Sequence, residues 1–319
     1  MSVLVTGAHG FVGAWLAERL LDRGDRVVAL RRDREPDSRF VTDGLDRRCV
    51  EVLADLTDYE SLLRILNEHE VRTVFHLAAQ AIVGTANRGP LATWESNVRG
   101  TYTLLEACRA TGGRIERIVV ASSDKAYGNH DELPYREDFA LRARNPYDVS
   151  KACADMIARS YAVTFELPVA VTRLANVYGP GDLNWSRLIP DTARALARSE
   201  RPVIRSDGTP ERDYVYVEDA VDAYLAVAAS LDRPELRGRA WNAGCAAPIS
   251  VREVVQRLIA VSGRNVEPEI KGEGTPRGEI DRQFLDSTPI REELGWKARF
   301  DLDRGLPITW EWYRRRLGA

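Results

Sequence analysis

A chain of 319 residues, 44% hydrophobic and 29% charged, can bury one large α/β core with an appended lobe. Its formal net charge is −3 and its arginines are interleaved with Asp and Glu, which excludes a dedicated nucleic-acid surface. Four dispersed cysteines without a C-x-x-C pair predict no metal site and a reducing compartment, and no apolar run nears the roughly 20 residues of a membrane span, so a soluble, cytoplasmic protein is expected.

The chain enters a strand at residues 3–5 without the basic segment and apolar stretch of a signal peptide. T-G-A-H-G-F-V-G (6–13) follows and opens a helical pattern that ends near Gly24, with Gly7, Gly10 and Gly13 at G-x-x-G-x-x-G spacing. Glycine there lets the chain turn tightly, lets backbone N–H groups approach a pyrophosphate, and lets helix and strand pack closely. The helix N-terminus adds partial positive charge. His9, inside the loop, reads as a turn residue.

The next strand, 26–30, ends in A-L-R-R-D. An acidic residue there holds the adenosine ribose and signals NAD, whereas arginine meets the 2′-phosphate of NADP. With Arg31 and Arg32 ahead of Asp33, both dinucleotides stay open. Asp55, in A-D-L-T, caps the helix that follows or hydrogen-bonds the adenine. Further strand-like runs lie at 49–53, 73–77, 118–122 and 169–174, with helical periodicity near 58–69, 92–112 and 147–165. This alternation predicts an α/β Rossmann fold, a doubly wound parallel sheet with ligands outside the carboxyl ends of its strands.

A-S-S-D-K-A-Y-G-N (121–129) places two hydroxyls, a carboxylate and an ammonium group at one strand end, where a turn needs a single polar residue. N-P-Y-D-V-S-K (145–151) opens a helix, and i,i+4 spacing puts Tyr147 and Lys151 on one face. A lysine beside the phenol is expected to favour the phenolate. After about residue 175 Gly and Pro become denser and elements shorter. Residues 1–175 are therefore expected to form the dinucleotide-binding domain with the catalytic residues. Residues 176–319 are expected to form a smaller mixed α/β substrate-binding lobe, with some segments returning to the sheet. A terminal helix is predicted from residue 302 to 317.

These motifs, with H-L-A-A-Q (76–80), N-V-R-G-T (97–101), R-L-A-N-V-Y-G-P-G-D (173–182), R-D-Y-V-Y-V-E-D (212–219) and E-L-G-W (293–296), resemble the extended short-chain dehydrogenase/reductases. These are the nucleotide-sugar epimerases and dehydratases, and the likeness runs in order over essentially the whole chain. The resemblance implies a tightly bound, recycled NAD or NADP along the glycine loop with Phe11 and Val12. The dinucleotide would also meet Arg31 and Arg32, Asp55 and Leu56, and Leu77, Ala78 and Ala79. Ser123 would hydrogen-bond the sugar's C4 oxygen, Tyr147 would take the C4–OH proton, and Lys151 would hold the nicotinamide ribose. The nucleotide-diphosphate sugar would meet Gln80, Asn176, Arg187, Arg212 and Glu279, the guanidinium of Arg212 suiting a diphosphate. A homodimer packed through the helices near 92–112 and 147–165 is also implied.

The Asp124–Lys125 pair resembles the CDP-glucose 4,6-dehydratase branch, although Ser123 stands where that branch carries Thr. There the Asp protonates the departing C6 hydroxyl and its neighbour helps remove the C5 proton. Those roles require a raised pKa at Asp124 and a depressed one at Lys125. The resemblance thus implies conversion of an NDP-hexose to an NDP-4-keto-6-deoxyhexose. The alternatives are an NDP-sugar 4-epimerase, an NADP-dependent keto-sugar reductase, and a non-catalytic cofactor-binding sensor.

Overall fold

The computed structural model describes residues 1–33, 35–274 and 280–319. Seven strands form the main sheet: β1 (Ser2–Thr6), β2 (Arg26–Arg31), β3 (Val50–Leu53), β4 (Thr73–His76), β5 (Arg117–Ser123), β6 (Val169–Leu174) and β7 (Ala240–Ala243). Their order is β7-β6-β5-β4-β1-β2-β3, and every neighbouring pair is parallel. The six strands expected from hydrophobic runs are all present.

Residues 3 to 5 of β1 and all of β4 and β6 are buried, as strands covered on both faces must be. Edge strand β3 instead alternates exposed and half-buried residues. The helices Phe11–Asp22 and Val217–Ser230 cover one face of the sheet. Tyr59–Glu68, Gly100–Ala110 and Pro146–Phe165 cover the other. The order turns back on itself at β1, between β2 and β4, and a crevice opens there at the carboxyl ends of the strands.

The helical pattern near 92–112 proves to be a series of pieces. Val83–Arg88, Pro90–Thr93, a π-helical turn Trp94–Arg99 and the helix Gly100–Ala110 follow one another. Gly100 is required because a Cβ there would stand 2.9 Å from the Leu56 side chain.

The smaller lobe is built on Leu188–Ala197, Val251–Ser262 and the terminal helix Leu302–Leu317, which pack around Leu196, Leu258, Trp310 and Tyr313. Short ladders join them: Asn176–Tyr178 pairs with Tyr214–Tyr216, and Glu211–Arg212 lies between Ile249–Ser250 and Arg282–Gln283. Between these segments, after Tyr214–Tyr216 and before Ile249–Ser250, the chain returns to the sheet as β7 beside β6. Its four residues, A-W-N-A, are all buried, with Trp241 among the largest enclosed side chains. Among the described residues no helix is long and apolar enough to cross a membrane.

Among the described residues one ion pair is wholly enclosed. Arg173 on β6 donates to both oxygens of Asp155 on the Pro146–Phe165 helix, at 2.8 and 3.0 Å, and neither side chain is exposed. The guanidinium also donates to the Tyr127 hydroxyl (2.8 Å) and the Glu137 carbonyl (3.2 Å), so its burial is matched by a connected network.

Candidate active site

The glycine loop forms a close-packed cradle at the end of β1. Gly7 adopts φ +75°, and a Cβ on it would stand 2.7 Å from the Ala78 nitrogen. A Cβ on Gly13 would run into the Gly7 carbonyl, while the Gly10 N–H closes the loop on that same oxygen at 2.9 Å. Gly10 is the N-cap of the helix Phe11–Asp22, and no side chain caps it. The first-turn N–H groups of Phe11, Val12 and Gly13 therefore form the anion-binding end expected for a diphosphate. Thr6 joins this loop to the next strand end, its carbonyl accepting from Leu77 N (3.2 Å) and its hydroxyl from Ala78 N (3.2 Å). These residues fit a bound dinucleotide.

Residues expected at the adenosine end take specific positions. His9 is held through Nε2 to Glu51 on β3 at 2.7 Å, and its ring lies 4.4 Å from Phe40. Arg31 Nε approaches the same Glu51 oxygen at 3.5 Å, and Arg32 pairs with Asp33 at 2.6 Å. Asp55 does not cap the following helix. Asp58 does, accepting from Ser61 N, whereas Asp55 closes the preceding turn on the N–H and hydroxyl of Thr57. Those two bonds hold the Asp55 carboxyl below its usual range. Leu56 is buried against Gly100.

A cleft of about 610 Å³ joins this cradle to the smaller lobe. Val12, Leu77 and Ala79 line it from the dinucleotide side, and all five expected catalytic residues open onto it: Ser123, Asp124, Lys125, Tyr147 and Lys151. Pro146 at the first helical position starts the helix that presents Tyr147 and Lys151. Lys151 Nζ donates to the Ala121 carbonyl at 2.8 Å, which spends one of its three protons. Ser122, unexplained by the sequence, donates to the Lys151 carbonyl at 3.4 Å and so fastens strand to helix. Ser123 caps the short 3₁₀ turn Asp124–Tyr127 by accepting from Lys125 N (3.2 Å), and it donates to Asp124 Oδ1 (2.9 Å). The Ser123 side chain also pulls the Tyr147 phenol down, against the effect of burial.

Burial sets the electrostatics. It pushes the Asp124 carboxyl up to about 6, against the opposing pull of Lys125, Ser123 and Arg212. Asp124 Oδ2 is buried and carries no partner. Burial alone lowers Lys151 to about 8. Burial also raises the Tyr147 phenol to about 12, with Arg187 opposing and Asp124 and Asp148 adding. The phenolate expected beside Lys151 is therefore not favoured by the protein alone. Proton release from Tyr147 needs further positive charge in the cleft.

On the substrate side, Asn176, Arg187 and Arg212 all line the cleft. Asn176 donates to the Asp213 carbonyl (3.3 Å), and Arg187 reaches Asp182 Oδ2 at 3.0 Å. Arg212 donates to the carbonyls of Glu211 (2.9 Å) and Asp281 (3.0 Å). Gln80 is not brought in: Ala79 and Ala81 line the cleft, while the Gln80 side-chain oxygen accepts from Ile82 N at 2.7 Å. Glu279 lies outside the described residues. Sequence reasoning passed over Asp213, although R-D-Y-V-Y-V-E-D contains it. Fully buried, it accepts from the N–H groups of Cys245 (3.0 Å) and Ala246 (3.1 Å). Burial raises it to about 6, with the Asp124 charge adding.

A glycine cradle on the first strand, opposite a Ser/Tyr/Lys set at later strand and helix ends, is the arrangement expected of a dinucleotide-dependent enzyme. Residues 3–244 match the model of the NAD dependent epimerase/dehydratase family, and the chain belongs to that family. It is 32% identical over 321 residues to a UDP-glucose 4-epimerase of Mycolicibacterium smegmatis, covering 99% of each chain. It is 30% identical over 326 residues to the CDP-glucose 4,6-dehydratase of Salmonella typhimurium, covering 98% of this chain and 90% of that one. It also matches a trifunctional UDP-glucose 4,6-dehydratase/3,5-epimerase/reductase of Arabidopsis thaliana at 31% identity, where 98% of this chain spans 47% of that protein's length. The dTDP-glucose 4,6-dehydratase of Streptomyces venezuelae, solved with NAD bound, superposes with a TM-score of 0.89 at 29% identity, over 100% of this chain and 98% of that one. Relatives thus divide between 4,6-dehydratases and 4-epimerases.

Proposed function

We propose that this protein is a nucleotide-sugar 4,6-dehydratase of the CDP-glucose-like kind, converting an NDP-hexose to an NDP-4-keto-6-deoxyhexose. The observation that carries this reading is Asp124, a buried carboxyl raised to about 6 whose unpartnered oxygen sits in the cleft that Tyr147 and Lys151 line. A 4-epimerase needs no second acid, whereas elimination does.

A bound nicotinamide dinucleotide supplies the hydride acceptor and donor of the cycle and, when oxidised, the positive charge that Tyr147 requires. Tyr147 accepts the C4–OH proton, and Ser123 orients that oxygen. The C4 ketone acidifies the C5 hydrogen, which Lys125 removes as Asp124 protonates the departing C6 hydroxyl, so one water leaves. Arg187 and Arg212 hold the diphosphate. Lys151 fixes the ribose next to Tyr147.

A second copy of the chain is the proposed partner. Met156 and Val163 stand seven apart on the Pro146–Phe165 helix, 52% and 82% exposed, with Phe165 and Tyr102 near half exposed on the same pair of helices. The similarity to the Mycolicibacterium smegmatis epimerase favours a second reading, redox-neutral inversion at C4.

Incubation with a panel of NDP-hexoses in deuterated water separates the two. Loss of water with one solvent deuterium incorporated supports the dehydratase. C4 inversion without mass loss overturns it in favour of the epimerase, and net consumption of NADPH would indicate a reductase.

A further inference from the structure

Arg31 and Arg32 occupy the end of β2, where this fold places the adenosine ribose and where free arginines receive a 2′-phosphate. Each lies beside a carboxylate, although Arg31 Nε makes no hydrogen bond. Strand pairing sets Ala29 opposite Glu51, and alternation along β2 returns Arg31 to the face that Ala29 occupies, so Arg31 and Glu51 are diagonal neighbours on one side of the sheet. The Arg31 guanidinium lies 3.5 Å from Glu51 Oε1, and both side chains are less than one-third exposed. The same oxygen holds His9 Nε2 at 2.7 Å, so one carboxylate joins the end of the second strand to the glycine loop after the first. Arg32 and Asp33 form a second pair, but at 66% and 62% exposure it is screened and contributes little.

Among the described residues, Arg31 and Arg32 are each set against a carboxylate, Glu51 and Asp33. A 2′-phosphate entering here would bring about two negative charges next to Glu51 and would have to strip that carboxylate of its partners. An unphosphorylated ribose meets no such opposition. His9 Nδ1, the other ring nitrogen, is buried without a partner. A ribose hydroxyl, which both donates and accepts, can satisfy that nitrogen.

We propose that Glu51 selects the unphosphorylated dinucleotide, by holding Arg31 and His9 so that a 2′-phosphate meets a carboxylate where it needs a free cation. The inference rests on the reading of this cleft as a dinucleotide site. It assigns to β3 the discrimination that a carboxylate at the end of β2 performs in NAD sites of this fold.

The test is calorimetric binding of NAD and of NADP to the full-length protein after removal of co-purified dinucleotide. Wild type is expected to bind NAD more tightly than NADP by at least about ten-fold. Glu51→Gln keeps the side chain's shape and releases Arg31, and it should narrow the ratio by about ten-fold or more, mainly by strengthening NADP. Adding Arg31→Ala to Glu51→Gln should remove that gain. Preference of the wild type for NADP, or an unchanged ratio in Glu51→Gln, overturns the role of Glu51 while leaving the dinucleotide site standing. Failure of wild type to bind either dinucleotide overturns the site reading itself, and this inference with it.

Discussion

Ser123 Oγ donates to Asp124 Oδ1 across 2.9 Å, while Asp124 Oδ2 is buried with no partner. One oxygen is positioned by the hydroxyl that faces Tyr147, and the other is left to act. Asp124→Asn keeps the acceptor for Ser123 and removes only the transferable proton. Dehydration should fall by about 10²–10⁴-fold, while C4 oxidation, seen as bound reduced cofactor, persists. Dehydration at the wild-type rate would show that Asp124 is not the acid.

The same carboxyl makes a pH prediction. Its folded value of about 6 lies above the ordinary 3.8, so the native state holds the proton more tightly than the unfolded chain. Stability then declines as pH rises from 3.8 through 6. Asp124→Asn should therefore stabilise the protein at pH 7 by about 1–3 kcal/mol, with the gain vanishing near pH 4. Urea unfolding at the two pH values measures this. The dehydration rate of wild type should likewise fall as pH rises above about 6, where the acid form is lost.

Tyr147→Phe removes the proton acceptor and leaves the ring that fills the cleft wall. C4 oxidation should drop by about 10²–10⁴-fold with NDP-sugar affinity retained, measured by single-turnover cofactor reduction and by calorimetry. A variant that still reduces its cofactor at the normal rate would transfer the role of base to another group.

The Arg173–Asp155 pair predicts a structural loss remote from the chemistry. Asp155→Ala strands a fully enclosed guanidinium, at a cost of about 3–5 kcal/mol in chemical unfolding. Replacing both residues with apolar side chains of similar volume should recover much of that loss. Equal destabilisation in single and double variants would contradict the account.

Val163→Glu and Met156→Glu place charge on the exposed apolar stripe of the Pro146–Phe165 helix. Sedimentation should report a shift from dimer to monomer with the fold intact. A wild type that already sediments as a monomer removes the proposed interface.

Much of this was legible in the sequence because it depends on local pattern. Six strands of the sheet are runs of β-branched residues, and Gly7, Gly10 and Gly13 declare a turn that only glycine tolerates. Tyr147 and Lys151 need only helical spacing to meet. What sequence could not supply depends on groups brought together from afar. β7 is four residues long, and only its position beside β6 makes it a strand of the main sheet. Glu51 lies 42 residues from His9 in the chain, so their contact has no local signature. The choice of Asp58 over Asp55 as helix cap is a difference of three positions between two aspartates that both precede the helical pattern. The raised pKa of Tyr147 reflects enclosure, which spacing cannot express.

The return of the chain to β7 has an evolutionary consequence. A polypeptide cut near residue 175 would leave β6 as a bare sheet edge and would lose the helix Val217–Ser230 that covers β5 and β6. The half after residue 175 is thus not a cassette that recombination can swap between relatives. New specificities must be reached residue by residue along the cleft wall, within a framework whose last sheet strand is interleaved with the segments that build that wall.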